Sequence, residues 1–272
     1  MTPPVALTIA GSDSAGGAGI QADLKTFAAL GVHGACAIAA LTAQNTTEVR
    51  GLRATPPGFL HRQIEAVVDD LTVQAVKTGM LATTDNIIAV ADLAGEGRLP
   101  NLVVDPVMVS STGARLLDIH AEQAYLTDLF PHARIITPNC REAGVLIGQT
   151  INYFDDQVDA AHELHRRSGA DWVVIKGGDL ANATEAVDVI VGHGQLIELA
   201  ALRIETVNTH GTGCSFAAAA AAYLARGDHA PVALEKAKHF VHRGLAAAAD
   251  WSLGAGHGPI DHFAEMRQQE HT

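Results

Sequence analysis

The chain has 272 residues, and its 30 acidic and 18 basic side chains give it a net charge of −12 at pH 7. This balance, with no cluster of lysine or arginine, argues against nucleic acid or an anionic membrane surface as the main partner. Hydrophobic residues make up 48% of the chain, enough for a large core, and three widely spaced cysteines give neither a disulfide framework nor a paired metal motif.

Apolar runs of strand length alternate along the chain with segments of helical periodicity. The predicted strands cover residues 5–10, 35–41, 73–78, 102–107, 134–137 and 172–176. One helix is predicted between each strand and the next, and the five helices cover residues 20–27, 57–71, 84–94, 119–130 and 155–168. This alternation predicts right-handed βαβ units and a mainly parallel, doubly wound α/β sheet with helices on both faces.

The remaining segments are predicted to add antiparallel structure and a closing helix. Residues 186–191 and 195–199 flank Gly192-His193-Gly194, which is typical of a hairpin at a sheet edge. Residues 47–54 are predicted as a small excursion from the sheet, and residues 232–250 as a long closing helix. No linker, repeat or low-complexity segment precedes the tail at 267–272, so residues 1–272 are predicted to form a single domain.

The most informative segment is residues 208–215, Asn-Thr-His-Gly-Thr-Gly-Cys-Ser, which we call the anion loop and which leads into an alanine-rich helix. Helix N-termini bind anions because their first N–H groups lack partners and the peptide dipoles add. The same field lowers the pKa of a thiol from its free value of about 8.5, so Cys214 is predicted to be an acidified base beside an amide cradle. This combination indicates phosphoryl transfer, and the alternative is a glycine turn before a core helix with one buried cysteine.

A glycine-rich segment, residues 11–19, links the first strand to the first helix. In open parallel sheets, loops at the carboxyl ends of strands carry ligands. The spacing Gly17-x-Gly19-x-x-Ala22 partly matches a dinucleotide fingerprint, which also needs an acidic residue about 20 positions further on. The second strand ends instead in Leu41-Thr42-Ala43-Gln44-Asn45, so an NAD-dependent oxidoreductase is a disfavoured alternative.

Two polar residues near these loops are candidate ligand contacts. Asp23 falls within the apolar stripe of the first helix, three residues after Ile20 and four before Phe27. Because acids are rarely fully buried without a partner, Asp23 either accepts a hydrogen bond from a ligand hydroxyl or interacts with the helix dipole. Gln44 carries an amide that can donate and accept, as the edge of a heterocycle requires.

Polar residues also follow three of the later strands. Asp105, Asn139 and Glu142 could together hold Mg²⁺ through waters, because Mg²⁺ favours few carboxylates combined with substrate phosphates. The alternative for Asn139 and Glu142, three residues apart at a helix start, is a capping box. Lys176 is either a countercharge for phosphate or a solvated strand end. His210 stands out among the histidines because it lies inside the anion loop.

These segments together resemble the hydroxymethylpyrimidine/phosphomethylpyrimidine kinases of thiamine synthesis, a family of the ribokinase-like superfamily. The resemblance covers nearly the whole chain, and its motifs occur in the family's order. They occupy residues 7–13, 16–26, 42–46, 77–81, 105–108, 137–139, 176–178, 208–214 and 256–259. So many motifs in one order make the match specific.

The resemblance implies a ribokinase-like fold and phosphorylation of 4-amino-5-hydroxymethyl-2-methylpyrimidine, and then of its monophosphate, from ATP with Mg²⁺. The residues that it implies for contact with the pyrimidine are Gly11, Asp23, Gln44, Met80 and Val107. The residues implied for the anion hole are Gly211, Thr212, Gly213 and Cys214. Cys214 is similar to the thiol that replaces, in these kinases, the catalytic Asp of most sugar kinases. The expected ATP contacts are Asn139, Lys176, Thr209 and His210, and the expected Mg²⁺ ligands are Asp105 and Glu142.

Two positions depart from the pattern of many relatives. Asp179 follows Lys176-Gly177-Gly178 where many have His, and Ser111 precedes Thr112-Gly113 where some have Lys. The second change removes a possible phosphate contact for the second phosphorylation. A pyridoxal kinase of the same superfamily is the nearest alternative, and a non-catalytic nucleotide-binding protein is the alternative from another class.

The remaining expectations concern location and assembly. No secretory signal and no run of about 18 apolar residues is visible, so the reducing cytoplasm is the expected compartment and no membrane partner is expected. The resemblance implies that two copies of the chain form a homodimer.

Overall fold

The computed structural model describes residues 2–108, 121–180 and 184–269. The described strands form one sheet in the order β3-β2-β1-β4-β5-β6-β7-β8-β9. Their bounds are β1 Val5–Ser12, β2 His33–Gln44, β3 Val49–Ala54, β4 Val73–Thr78, β5 Val103–Val104, β6 Ile135–Ile136, β7 Trp172–Ile175, β8 Glu185–Gly192 and β9 Gln195–Leu202. The predictions for residues 111–113 and for the start of the helix expected from residue 119 lie outside the described residues.

The sheet is parallel in its centre and antiparallel at both edges. Strands β2, β1, β4, β5, β6 and β7 are parallel, and Thr8 in β1 lies opposite both Cys36 and Lys77. The β8–β9 hairpin pairs antiparallel with β7, which confirms the predicted edge. Residues 47–54, predicted as an excursion, contribute β3, which pairs antiparallel with β2 and extends the sheet at its other edge.

Helices cover both faces of the sheet, as predicted. Their bounds are α1 Gly19–Ala29, α2 Pro57–Val68, α3 Thr84–Gly95, α4 Ala121–Ala124, α5 Cys140–Ile147, α6 Phe154–Ser168, α7 Thr212–Ala225, α8 Ala230–Ala247 and α9 Ala264–Gln269. One apolar core packs α2 to α6 against the sheet, and a second packs α1, α7 and α8 against the opposite face. None of the helices in the described ranges has the length and apolar character that crossing a membrane requires.

Two central strands are shorter than predicted. Strands β5 and β6 contain two residues each, whereas the apolar runs predicted six and four. Pro106 and Pro138 follow shortly after them, and proline has no N–H group with which to continue a ladder. The chain therefore leaves the sheet early, and Asp105 and Asn139 lie in loops at its edge.

Helix α7 is buried on every side because its residues are small. The side chains of residues 217–222, all alanine, have no exposed surface. Alanine has the highest helix propensity, and a helix that is apolar all round belongs inside a core. Helix α7 accordingly contacts β1, β4 and β5 on one side and α1 and α8 on the others. This packing fixes its N-terminus, which carries the anion loop, against the sheet.

Candidate active site

A cavity of about 690 Å³ lies where the parallel strands end. Every site residue predicted from the sequence, except Asp23, lines this cavity. The carboxyl ends of parallel strands share one edge of a sheet, which is why segments far apart in the chain meet here. The residues that line it come from the ends of β1, β2 and β4, from the loops after β5, β6 and β7, and from the anion loop.

Asp23 lies beneath the cavity and not in its wall, so neither role expected for it is correct. Its side chain is fully buried, and its two oxygens accept hydrogen bonds from Lys77 Nζ at 2.8 and 2.9 Å. Oδ2 also accepts from Thr8 Oγ1 at 2.6 Å. Because the side chain is buried and both oxygens already accept hydrogen bonds from protein donors, Asp23 is not available to accept one from a substrate hydroxyl. It also lies beyond the first turn of α1, where the helix dipole acts most strongly.

The anion loop is interlocked with the first glycine-rich loop. Gly211 is the N-cap of α7 in the left-handed conformation, with φ of 82°, and a Cβ there would collide with the carbonyl oxygen of Gly17. Only glycine satisfies both conditions at this position. Thr212 Oγ1 donates to the carbonyl of Thr209 at 3.0 Å, which closes the turn that leads into the helix.

Of the four N–H groups predicted to form an amide cradle, one donates to a described backbone acceptor and three do not. The N–H of Thr212 already donates to Thr209 O at 3.3 Å. Within the described part of the chain, no backbone acceptor is hydrogen-bonded to the N–H groups of Gly211, Gly213 and Cys214. Three amides at the N-terminus of a buried helix remain to bind an anion.

Cys214 lines the cavity, but its thiol is not acidified. Burial raises the pKa of Cys214 to about 11, and it outweighs the opposing effects of the Lys77 charge and of the Gly19 backbone. Asp23 and Asp105 raise the pKa further. The expected lowering by the helix terminus is therefore wrong, because desolvation disfavours the thiolate more than the nearby donors favour it.

Asp13 and His210 form a buried contact that sequence analysis did not single out. Asp13 Oδ2 lies 2.8 Å from His210 Nε2, and the same carboxylate accepts the N–H groups of Ala15, Gly17 and Ala18 at 2.8 to 3.0 Å. Burial alone would raise the pKa of Asp13, but these hydrogen bonds and the charge of His210 together lower it. Asp13 thus ties the glycine-rich loop to the anion loop.

Lys176 and Asp105 form an ion pair over the start of α7. Lys176 Nζ donates to Asp105 Oδ1 at 2.8 Å, and Thr137 Oγ1 donates to the same oxygen at 3.1 Å. Gly213 lies directly beneath, because a Cβ there would be 3.1 Å from Lys176 Nζ and 3.9 Å from Asp105 Oδ2. The pair therefore borders the amide cradle, where a phosphate would meet both a cation and a carboxylate.

Asn139 and Glu142 form a capping box, which was the alternative to a Mg²⁺ site in the interpretation of their spacing. Asn139 Oδ1 accepts the N–H of Glu142, and Glu142 Oε2 accepts the N–H of Asn139, both at 2.9 Å. Burial is the main cause that raises the pKa of Glu142 to about 7. The charge of Lys176 lowers this pKa, and the charge of Asp105 raises it further. Both residues also line the cavity, so the capping role and a ligand role are compatible.

The residues expected to contact a heterocycle form a mixed polar and apolar part of the wall. Met80 packs with Ala40, Ala82 and Val107, and a Cβ on Gly11 would collide with the methyl group of Met80. Gln44 Oε1 accepts from Thr42 Oγ1 at 3.3 Å, and the backbone of Gln44 is held by Ser14 Oγ at 2.7 and 2.8 Å. The amide of Gln44 is therefore oriented before any ligand binds.

Sequence analysis missed one wall of the cavity. It is formed by Arg203 after β9 and by one face of α8, with Lys238, Val241, His242 and Leu245. No loop motif marks these residues, and the only available signal was the spacing of Val241 and Leu245, four apart on one helix face. Asp188 in β8 connects this wall to the β7 end, because it accepts the N–H of Gly177 at 3.0 Å and pairs with Lys238 at 2.8 Å.

Comparison with known proteins places this geometry in a family. The family model described as phosphomethylpyrimidine kinase matches residues 13–261. A hydroxymethylpyrimidine/phosphomethylpyrimidine kinase of Rhizobium meliloti is 45% identical over 260 residues, which cover 95% of this chain and 97% of that protein. A thiamine biosynthesis bifunctional protein of Geobacter sulfurreducens is 46% identical over 94% of this chain, and the match spans 52% of that protein's length.

A solved structure agrees with the sequence relatives. The pyridoxal kinase of Staphylococcus aureus in complex with AMP-PCP and pyridoxal superposes with a TM-score of 0.89 at 33% identity, and the match covers 98% of this chain and 96% of that one. The sequence relatives and the fold therefore agree. The chain belongs to the phosphomethylpyrimidine kinase family, a family of phosphotransferases with a ribokinase-like fold.

Proposed function

We propose that the protein transfers the γ-phosphoryl group of ATP to the hydroxymethyl group of 4-amino-5-hydroxymethyl-2-methylpyrimidine, and then phosphorylates the resulting monophosphate. The observation that carries the proposal is the cavity itself, which brings the amide cradle, the Cys214 thiol and the oriented amide of Gln44 together. The name of the 45% identical relative supports the same reaction. A cytoplasmic location and a homodimer stay predictions.

The anion hole supplies most of the catalysis in this proposal. Phosphoryl transfer depends mainly on positioning and on electrostatic stabilisation of the transferring group. The N–H groups of Gly211, Gly213 and Cys214 converge at the start of α7, where the helix dipole also favours negative charge. Asp13 and His210 hold this loop in place, so its donors need no rearrangement during the reaction.

Cys214 accepts the proton of the attacking alcohol. As the new O–P bond forms and the bond to the leaving ADP oxygen breaks, the hydroxymethyl proton passes to the sulfur. The thiolate is the form that can accept it, and the raised pKa of Cys214 means that this form is scarce at neutral pH. A general base typically contributes about 10² to 10⁴-fold, so the amides carry the larger share.

The acids and the lysine beside the cradle fit an ATP phosphate with Mg²⁺. The charge of Asp105 disfavours ionisation of Glu142, and a bound divalent cation would relieve this effect. No group of three or more His, Cys, Asp or Glu side chains within the described ranges is arranged to hold a metal, so the phosphates would complete the coordination. When bound, Mg²⁺ neutralises phosphate charge, while Lys176 and Asn139 contact the nucleotide from the same side together with Thr209 and His210.

The heterocycle would lie against Met80, Val107 and Gly11, with its polar edge facing Gln44. His210 Nε2 lies 2.8 Å from Asp13 and 3.5 Å from Gln44 Nε2. A ring N–H that donates to Asp13 cannot also accept from Gln44, so the Gln44 N–H is directed to a ligand acceptor. The nucleotide base would occupy the opposite wall, formed by α8.

A pyridoxal kinase is the second candidate, favoured by the TM-score of 0.89 with the Staphylococcus aureus enzyme. ATP consumption measured with the pyrimidine alcohol, its monophosphate and pyridoxal, with and without Mg²⁺, separates the two. We expect Mg²⁺-dependent turnover, with the pyrimidine alcohol giving the highest kcat/KM. A higher kcat/KM for pyridoxal would favour the second candidate, and ATP binding without turnover on any alcohol would contradict both.

A further inference from the structure

Lys77 is a fully buried lysine in the floor of the cavity. It is the penultimate residue of β4, and its only described anionic partner in hydrogen-bond contact is Asp23, at 2.8 and 2.9 Å. Neither side chain of this pair has any exposed surface. Burial would lower the pKa of Lys77, but the charges of Asp23, Cys214 and Asp105 and the hydrogen bonds to Asp23 together outweigh it, so the ammonium stays protonated.

The pair is oriented with its positive end toward the cavity. Lys77 and Cys214 line the cavity, whereas Asp23 lies behind Lys77 and does not. Removing two charges from water costs several kcal/mol per ion, and apolar residues often fill such a site with equal or greater stability. Stability alone therefore does not explain the pair, whereas the position of Lys77 at the cavity that Cys214 also lines indicates a role.

Four charged groups from separate elements act electrostatically on the Cys214 thiol. Lys77 from β4 and Lys176 after β7 are positive, and Asp23 from α1 and Asp105 after β5 are negative. Lys176 is paired with Asp105 on the far side of Gly213. Lys77 makes the largest charge contribution at the thiol, and it favours the thiolate. The backbone of Gly19, at the N-terminus of α1, also favours the thiolate.

We propose that Lys77 is a positioning residue for phosphoryl transfer, because its buried ammonium, held in place by Asp23, supplies the positive charge that stabilises the Cys214 thiolate. The inference rests on the proposed function of Cys214 as proton acceptor. In water such a charge would be screened, but inside the protein its effect on a neighbouring group is much larger. Asp23 acts through Lys77, which accounts for a carboxylate in the apolar stripe of α1.

The test measures the thiolate directly, without ATP or pyrimidine. In a Cys36→Ala/Cys140→Ala background, Cys214 is the single thiol, and its alkylation rate by iodoacetamide reports its thiolate fraction across pH. Changing both partners, as Lys77→Met with Asp23→Asn, removes the ammonium without leaving a buried unpaired charge. We expect the Cys214 pKa to rise by about 1 unit or more, which slows alkylation about tenfold at a pH near 9. Turnover should fall in parallel and recover as the pH is raised.

Two further variants make the result specific. Thr8→Val removes a neutral hydrogen bond to Asp23 but keeps both charges, so its alkylation profile should match that of the background. Lys77→Gln with Asp23→Asn is a second neutral pair, whose side chains can hydrogen-bond to each other within the same space. Cooperative thermal unfolding verifies that each variant is folded. Unaltered alkylation in the folded neutral pairs would overturn the inference, even if turnover fell. Retained turnover in Cys214→Ala would overturn the proposed function instead.

Discussion

The chemistry of Cys214 depends on competing local effects whose balance only the structure shows. Cys214 is the third residue of α7, and both this position at the helix N-terminus and the Gly19 backbone favour a thiolate. Lys77 adds a positive charge that has the same effect. Burial nevertheless dominates and raises the pKa to about 11. A base with such a pKa is strong when it is deprotonated but is mostly protonated at neutral pH. In the proposed mechanism, this balance gives the reaction a characteristic pH dependence.

We expect kcat of the wild-type protein to rise with pH through the alkaline range toward about 11, because the thiolate fraction rises. Cys214→Ala should lower kcat by about 10² to 10⁴-fold at a given pH and remove this rise. Cys214→Asp should restore part of the lost activity without the alkaline rise, because a carboxylate ionises far below the thiol. Steady-state kinetics across pH check all three.

Cys36→Ala is the matched control, because Cys36 lies in β2 and does not line the cavity. It should keep the wild-type pH profile. An alkaline rise that persists in Cys214→Ala would assign the titration to another group and would contradict the role of Cys214.

At the scale of elements, the start of α5 couples a structural cap to a titrating group. Asn139 and Glu142 satisfy each other's backbone N–H groups, which stabilises the helix. The same Glu142 is buried near Asp105, so its ionised form is disfavoured. A cap that is partly protonated at neutral pH makes the stability of the protein depend on pH.

We expect the free energy of unfolding to fall as the pH rises from 4.5 to about 7 in metal-free buffer, because Glu142 ionises in this range. Its folded pKa lies above its ordinary value of 4.5, so the native state favours the protonated form, and the stability present at low pH is lost as the pH rises through the folded pKa. A shift of this size corresponds to about 3 kcal/mol. Denaturant unfolding of the wild type and of Glu142→Gln across pH measures it.

Glu142→Gln keeps an acceptor oxygen for the Asn139 N–H but does not titrate. Relative to the wild type, it should therefore gain stability between these two pH values. Unfolding curves whose difference stays constant with pH would show that Glu142 is ionised normally in the folded protein.

The close packing of α7 makes a second prediction at this scale. Ala220 has no exposed surface and lies in a helix enclosed by the sheet, α1 and α8. Ala220→Leu should destabilise the protein by about 1 to 3 kcal/mol or more, because added methylenes have no space in a packed core. Ala246→Leu, on the exposed side of α8, is the matched control and should change stability little. Equal melting temperatures for the two variants would contradict the tight packing.

At the scale of the whole molecule, sequence periodicity predicted the sheet better than the site. Alternating strand and helix patterns are local, and they gave the parallel centre and the β8–β9 hairpin correctly. The predicted loops meet because the ends of parallel strands share an edge of the sheet, and all of the predicted site residues except Asp23 line the cavity. Side-chain pairing depends on contacts between distant segments, so the Lys77–Asp23 and Asp13–His210 contacts and the α8 wall were not predictable from spacing.

The same pairing determines how the molecule meets its anionic substrate. Three lysines that line the cavity are each paired with an aspartate: Lys77 with Asp23, Lys176 with Asp105, and Lys238 with Asp188. Each pair therefore contributes little to the long-range electrostatic field, whereas the chain as a whole has a net charge of −12. The long-range field therefore repels ATP, and capture depends on contacts made after entry.

We expect the KM for ATP to fall as ionic strength rises from about 0.01 to 0.15 M at constant excess Mg²⁺, because screening shortens the Debye length from about 30 to 8 Å and weakens this repulsion. The pyrimidine alcohol is uncharged, so its KM should stay constant in the same series and serves as the internal control. Choline chloride is a suitable salt, because its bulky cation does not replace a small metal ion. A KM for ATP that rises with salt would show that the cavity's cations, and not the net charge, dominate the approach of the nucleotide.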